Sequence, residues 1–167
     1  FPQPTTASVL SLQTSPTKVT FLGVHFLNAR KGWIVGAGGT ILHTDDGGAT
    51  WKSSPRRTNA LLTAVTFADA MHGWILGQNG TVLHTADGGK QWVPQESGTN
   101  GTLYAADFLT IDHGWVVGSR GVILHTEDGG ESWADQVSGT TADLFGVYFM
   151  NEKRGWAVGA LGVILST

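Results

Sequence analysis

Apolar residues in this chain come in short bursts, each cut off by Gly, Asn, Asp, Pro or Ser, and the bursts recur on a fixed step. One set is Phe21–Phe26, Leu62–Phe67, Leu103–Phe108 and Leu144–Phe149, which we name strand a. A second is Gly32–Val35, Gly73–Leu76, Gly114–Val117 and Gly155–Val158, strand b. A third is Thr40–Thr44, Thr81–Thr85, Val122–Thr126 and Val163–Thr167, strand c. A fourth, strand d, starts at Thr50, Gln91 and Ser132. Val, Ile, Thr, Trp and Phe fill these runs, as strands require, and turn residues divide them. No long segment carries a 3.6-residue period, so no helix is expected.

The step is constant. Trp33, Trp74, Trp115 and Trp156 stand 41 residues apart, and so do Trp51, Trp92 and Trp133. A period of that length in a strand-rich chain marks a β-propeller of four-stranded antiparallel blades. Residues 1–167 therefore read as one all-β domain. Residues 1–20 are an N-terminal segment, 21–57, 61–98 and 102–139 are three blades, and 144–167 supply strands a, b and c of a fourth. Gln13 lies thirteen residues before Phe26, as Gln95 and Gln136 do before Phe108 and Phe149. In that register 8–13 is the last strand of a blade, and it could close a ring by pairing with the C-terminal strands. The other arrangements are a longer ring, or two chains forming an eight-bladed one. Without closure or pairing, open sheet edges invite aggregation.

Composition narrows the classes. At 167 residues a real core can form. Charged residues are 14% and glycines number 24, which suits tight turns between buried strands. A net charge of −3 gives no global pull towards nucleic acid. The absence of Cys removes disulfides and thiolate metal sites. No apolar run approaches the ~20 residues that cross a bilayer, so direct membrane insertion is not expected. The chain opens on Phe1-Pro2 without Met, which reads as a processed or partial chain. Ser166-Thr167 fall where a fourth His-Thr would sit.

The phrase between strands c and d carries the chemistry of the turn. Thr44, Asp46, Gly48 and Trp51 recur as Thr85, Asp87, Gly89 and Trp92, and as Thr126, Asp128, Gly130 and Trp133. The Asp can accept backbone N–H groups inside the hairpin, and the glycines permit positive φ. The Trp can pack the outer strand on its blade. Gln91 and Ser132 stand where Thr50 stands in the first copy; both can still hydrogen-bond. This phrase matches the Asp-box, or bacterial neuraminidase repeat. The longer run from Gly32 to Trp51, with its Gly-Trp-x-x-Gly-x-x-Gly-x-x-Leu-His-Thr pattern repeated from Gly73 and Gly114, resembles the blade of photosystem II stability/assembly factor-like propellers. From Gly155 the pattern changes, with Ser166 for His. The resemblance covers about 21–167. It implies a seven-bladed, extracytoplasmic protein that holds a membrane-protein intermediate without catalysis and meets it through an arginine-rich surface. This chain holds material for four blades.

Catalytic and metal readings fare poorly on spacing. Asp46, Asp87 and Asp128 each belong to their own blade and turn. The Asp45-Asp46 start of a calcium-like loop is followed by Gly and Ala, not by oxygen ligands. His43, His84 and His125 occupy equivalent places on separate blades and do not converge. A glycosidase needs two acids on one cleft, and Asp107 is the only acid of strand a. No cofactor, metal or catalytic residue is expected. Strand a has a small third residue (Gly23, Ala64, Ala105, Gly146), read as crowding at the axis. Its fifth, on the same face, is variable (His25, Thr66, Asp107, Tyr148), which reads as drift tolerated at an exposed site or as a channel lining or rim.

Two sets of cations remain. Lys31, His72, His113 and Arg154 share one position in the a–b turns; the histidines charge only below about pH 6.5. Arg56, Arg57 and Arg120, with Lys18, fall on the opposite end in d–a and b–c loops. Arg56, Arg57, Arg120, Lys31 and Arg154 are thus the partner-binding candidates. The expected function is a non-catalytic interaction or assembly module for a protein partner in a membrane complex of photosynthetic type. A glycan-binding propeller is the alternative, with a glycoside hydrolase behind it, and a homodimer is expected if four blades do not close alone.

Overall fold

The computed structural model describes residues 11–167. Blade 1 comprises β1 (Phe21–Phe26), β2 (Gly32–Gly36), β3 (Thr40–Thr44) and β4 (Lys52–Ser53). Blade 2 comprises β5 (Leu62–Phe67), β6 (Gly73–Gly77), β7 (Thr81–Thr85) and β8 (Val93–Glu96). Blade 3 comprises β9 (Leu103–Phe108), β10 (Gly114–Gly118), β11 (Ile123–Thr126) and β12 (Ala134–Asp135). Blade 4 holds β13 (Leu144–Asn151), β14 (Arg154–Gly159) and β15 (Ile164–Ser166). Every sheet is an antiparallel meander in chain order. Strands a, b and c fall where the apolar runs place them. Strand d begins two residues later than the sequence suggests, because Thr50, Gln91 and Ser132 are held inside the Asp-box turn. Three short 3-10 turns, Ala37–Gly39, Ser119–Gly121 and Ala160–Gly162, join b to c.

The blades pack face to face through one recurring aromatic contact. The strand-b Trp of each blade stacks on the strand-a Phe of the next. Trp33 lies 4.1 Å from Phe67, Trp74 3.5 Å from Phe108, and Trp115 3.7 Å from Phe149, between ring centroids. The same Phe meets the Asp-box Trp of its own blade edge-on, as Phe67 meets Trp92 and Phe108 meets Trp133. Trp74 adds a hydrogen bond, its Nε1–H donating to the Gly129 carbonyl at 2.9 Å. Offset-stacked and edge-on aromatic pairs add to the area they bury. Val35, Ile41, Val65, Ile75 and Leu83 complete the core between blades 1 and 2.

A register shift after the first residue of each strand a turns the third and fifth residues towards the next blade. A Cβ on Gly23 would stand 2.9 Å from the Ala64 Cα, so small third residues do follow from close backbones at the axis. The fifth position is a joint position, not a free channel lining. His25 lies against Phe67, and Asp107 Oδ2 accepts the Phe149 N–H at 2.6 Å. Asp107 is therefore committed to the joint between blades 3 and 4.

The arc is open. Residues 8–10 of the expected closing strand lie outside the described residues, and 11–13 are not in a strand. Gln13 instead sits against blade 1, its Oε1 accepting the Trp51 Nε1–H at 3.2 Å. Among the described residues nothing pairs with the outer edge of β15, so blade 4 has three strands.

Each Asp-box is a closed hydrogen-bond unit. Thr44 Oγ1 donates to Asp46 Oδ1 at 2.7 Å and accepts the N–H groups of Asp46 and Gly48. Asp46 also accepts the Thr50 N–H and, through Oδ2, the Thr50 hydroxyl at 2.6 Å. Blade 3 repeats this with Thr126, Asp128 and Ser132. Blade 2 repeats it with Thr85 and Asp87, but Gln91 offers only its backbone N–H. The buried hydroxyls of Thr44, Thr85 and Thr126 are thereby satisfied. The Thr50 hydroxyl, the Thr50 N–H and the Thr44 hydroxyl hold the Asp46 carboxyl down to about 2; Ser132 and Thr126 do the same for Asp128. Burial raises the Asp87 carboxyl, but the N–H of Gln91 and the hydroxyl of Thr85 outweigh it and leave a lowered value.

These geometries give two predictions. The b–c turn apex tolerates a left-handed residue: Gly38 has φ 64° with open space around it, and its counterparts Asn79, Arg120 and Leu161 all have φ 56°. Gly38→Asn should change stability by less than about 1 kcal/mol, whereas a Cβ at the neighbouring Gly39 runs into the Thr58 carbonyl and should cost about 3 kcal/mol or more in urea unfolding. Gly39→Ala matching Gly38→Asn would remove the close-approach account. Secondly, Gln91→Thr should supply the missing hydroxyl and move the Asp87 titration down towards those of Asp46 and Asp128, read by carboxyl NMR. A carboxyl depressed below its unfolded value of 3.8 stabilises fully above that pH and loses the effect as pH falls towards about 2. The Gln91→Thr chain should therefore unfold at a lower pH in acid titration.

Candidate functional site

The loops alternate between two ends of the arc. At one end the a–b turns touch the Asp-box turns: Gly47 N–H donates to the Arg30 carbonyl, Gly88 N–H to that of Met71, and Gly129 N–H to that of Asp112. At the other end the b–c turns touch the d–a loops, with Gly39 N–H donating to Ala60 and Gly80 N–H to Gly101. The candidate cations thus divide. Lys31 and Arg154 lie at the Asp-box end, and Arg56, Arg57 and Arg120 at the other.

At the Asp-box end the candidate cations rest on tryptophan rings and the histidines face carboxylates. Lys31 Nζ stands 5.3 Å over the Trp33 ring and Arg154 lies 5.8 Å from the Trp156 ring. His72 Nδ1 is 3.0 Å from Asp69 Oδ2, and His113 Nδ1 is 3.9 Å from Glu152. Asp69 also accepts the N–H groups of Met71 and His72. Burial works against its ionisation, yet those N–H donors and the His72 ring hold its carboxyl below the ordinary value. This turn anchor escaped the sequence reading. Its signal was present: Asn28, Thr110 and Asn151 occupy the same repeat position, and each accepts a backbone N–H of its own turn.

The strand-c histidines stay apart, as their spacing implies, and act on tryptophans. His84 stacks on Trp74 at 5.0 Å and His125 on Trp115 at 4.5 Å. His43 Nδ1 lies 3.3 Å from the Ser54 hydroxyl. Burial lowers the His43 and His84 values and favours their neutral rings. Among the described residues no group of three His, Asp or Glu converges on one point.

The opposite end presents its arginines to solvent. Arg56, Arg57 and Arg120 are exposed, and among the described residues none of them forms an ion pair. Arg56 reaches only the Asn59 amide oxygen, at 3.5 Å. Arg120 sits at the apex of its b–c turn in a left-handed conformation, with its N–H donating to Asp143 Oδ1 at 2.8 Å. The side chain projects beside an open groove of about 640 Å³ between that turn and the 135–141 loop, lined by Val137, Ser138 and Thr140. Val137 is fully exposed there. The groove offers one guanidinium group, hydroxyls, the Asp135 carboxylate and one apolar side chain to a peptide-sized ligand. It contains no paired acids and no nucleophile with a base. No helix among the described residues is long and apolar enough to cross a membrane.

Comparison with known proteins places these features. Among solved structures, a YCF48 bound to a D1 peptide is 27% identical, with a TM-score of 0.72 over 87% of this chain and 48% of its own. YCF48 from Cyanidioschyzon merolae is 25% identical, with a TM-score of 0.74 over 92% of this chain and 55% of its own. The chain therefore spans about half the length of these YCF48 structures. The computationally designed Ika4 protein matches with a TM-score of 0.77 over 96% of this chain and 98% of its own, but at 16% identity it speaks for the fold alone. No match was found among curated proteins. The sequence model described as photosynthesis system II assembly factor YCF48 matches at residues 4–94, 54–136 and 93–167, with the same Gly-Trp and Asp-box blades throughout, and the chain belongs to that family.

Proposed function

We propose that the chain is a non-catalytic, extracytoplasmic assembly module that holds a protein partner belonging to a membrane complex of photosynthetic type. The observation that carries this reading is the arginine end, where Arg56, Arg57 and Arg120 are exposed without an ion pair among the described residues and Arg120 borders an open groove. The family membership supports it, as does the D1 peptide carried by a similar YCF48. Arginine grips a carboxylate through two parallel hydrogen bonds, so a peptide with acidic side chains or a free C-terminus suits this end. Lys31 and Arg154 belong to the other end and act there through Trp33 and Trp156, so they take a lesser part.

A charge-reversal series tests the assignment. Exchanging Arg56, Arg57 and Arg120 for Glu should weaken binding of the D1 peptide at least about 100-fold and abolish its salt dependence, measured by calorimetric titration. Exchanging Lys31 and Arg154 for Glu should change it by less than about 5-fold. Equal losses from both sets, or none from the first, would remove this end from the account. Clear sugar selectivity on a glycan array would favour the glycan reading.

A further inference from the structure

A glutamine seats against the second glycine of an Asp-box at two places in the structure. Gln95, in strand d of blade 2, donates through Nε2 to the Gly129 carbonyl at 3.1 Å, and its Oε1 is the nearest atom to a Cβ built on Gly130. Gln13 covers Gly48 in the same way and accepts the Trp51 Nε1–H. The joint between blades 1 and 2 departs from this. Ser54 stands 41 residues after Gln13 and 41 before Gln95. The pairing agrees, since Ser53 lies opposite Leu42 as Pro94 lies opposite Leu83. Strand d of blade 1 thus presents a short hydroxyl where the repeat presents an amide.

The consequence is local. A cleft of about 200 Å³ opens between strand d of blade 1 and the Asp-box of blade 2. The Trp33 indole leans into the seat that glutamine takes elsewhere, and its Nε1 is the nearest atom to a Cβ built on Gly89. In that position it forgoes the bond of its counterpart. Trp74 Nε1–H donates to the Gly129 carbonyl, whereas the Trp33 Nε1–H has no acceptor among the described residues, in a side chain that is 1% exposed. Trp92 Nε1, the counterpart of Trp51, is likewise unpartnered. A buried N–H without an acceptor is destabilising, so a group that supplies one is favoured there.

The walls set the charge of that group. Lys31 and Lys90 both line the cleft, and a Cβ on Gly88 would stand 3.1 Å from Lys31 Nζ. The other polar walls are His43, whose Nδ1 lies 3.3 Å from the Ser54 hydroxyl, and Asp45, whose carboxylate lies 3.9 Å from Lys52 Nζ. Two ammonium groups and an indole N–H favour an anion, and the Asp45 carboxylate disfavours a doubly charged one such as phosphate. We infer that the cleft between Ser54 and the Asp-box of blade 2 is a monocarboxylate-binding site. The carboxylate accepts the Trp33 Nε1–H and lies between Lys31 and Lys90, with room behind it for a short aliphatic stem. That stem belongs to a free acid or to a glutamate side chain of a protein. The site lies at the Asp-box end, away from Arg56, Arg57 and Arg120, and goes beyond the function proposed above.

Proton–nitrogen NMR of the indole N–H groups reads the outcome, with butyrate and the amide of N-acetylglutamate as probes. At least one probe should shift the Trp33 Nε1–H signal saturably, while sodium chloride at equal ionic strength leaves it in place. Saturation by butyrate assigns a free acid, and saturation by the glutamate probe alone assigns a side chain. Lys31→Gln and Lys90→Gln should each weaken binding about 3-fold or more. Ser54→Gln should weaken it at least about 10-fold, because the amide fills the seat and returns Trp33 to the bond that Trp74 makes. Glutamine is the repeat's own residue at that position, so this variant keeps the fold and the Trp33 signal. No saturable shift from either probe, an equal shift from sodium chloride, or undiminished binding by Ser54→Gln would overturn the proposal.

Discussion

The stack of a strand-b tryptophan on the next blade's strand-a phenylalanine is the contact on which the rest of this structure depends. It is the widest apolar surface a blade offers, and it reaches across to a neighbour. An isolated blade has one polar rim and two apolar faces, so it cannot bury both alone. Trp74 shows how much is coupled to one side chain. It stacks on Phe108, receives His84 on its own blade, and bonds the Asp-box of blade 3 through Nε1. The Asp-box is therefore both a local turn and a seat for the neighbour's tryptophan. That is why its second glycine stays small: side chains of the preceding blade or segment crowd Gly48, Gly89 and Gly130.

The same constraint explains where polar residues went. Thr44, Thr85 and Thr126 are buried, and each hydroxyl is spent on its own loop. Asp107 is spent on the Phe149 N–H, and Asp69 on the turn of His72. Arg56, Arg57 and Arg120 stay unpaired among the described residues, beside loops of constant length whose residues differ between blades. A rigid repeated frame with a variable end is the usual division between scaffold and recognition surface.

The sequence is legible here because so much of it is local. Strand limits follow from apolar runs and turn residues, and the Asp-box closes between residues two to four apart. The anchor of the a–b turn was legible too, in Asn28, Asp69, Thr110 and Asn151, but four different side chains hid one hydrogen-bonding role. The fifth position of strand a shares a face with the third, as period-two alternation gives; what meets that face, Phe67 against His25 and the Phe149 N–H against Asp107, is set by how neighbouring blades pack.

By itself the sequence determined the blade. A 41-residue step, a small residue near the axis and a Thr-x-Asp-x-Gly turn leave few folds open, since each rests on covalent spacing and hydrogen bonds within one hairpin. Tertiary structure alone decided how blades meet. Asp107 finds Phe149 forty-two residues away, Lys31 and Arg154 fall at the opposite end from Arg56, Arg57 and Arg120, and the arc stands open with Phe26 and Trp156 on separate faces. Those outcomes depend on the angle and offset between neighbouring sheets, which arise from packing among distant side chains, and no local pattern along the chain encodes them.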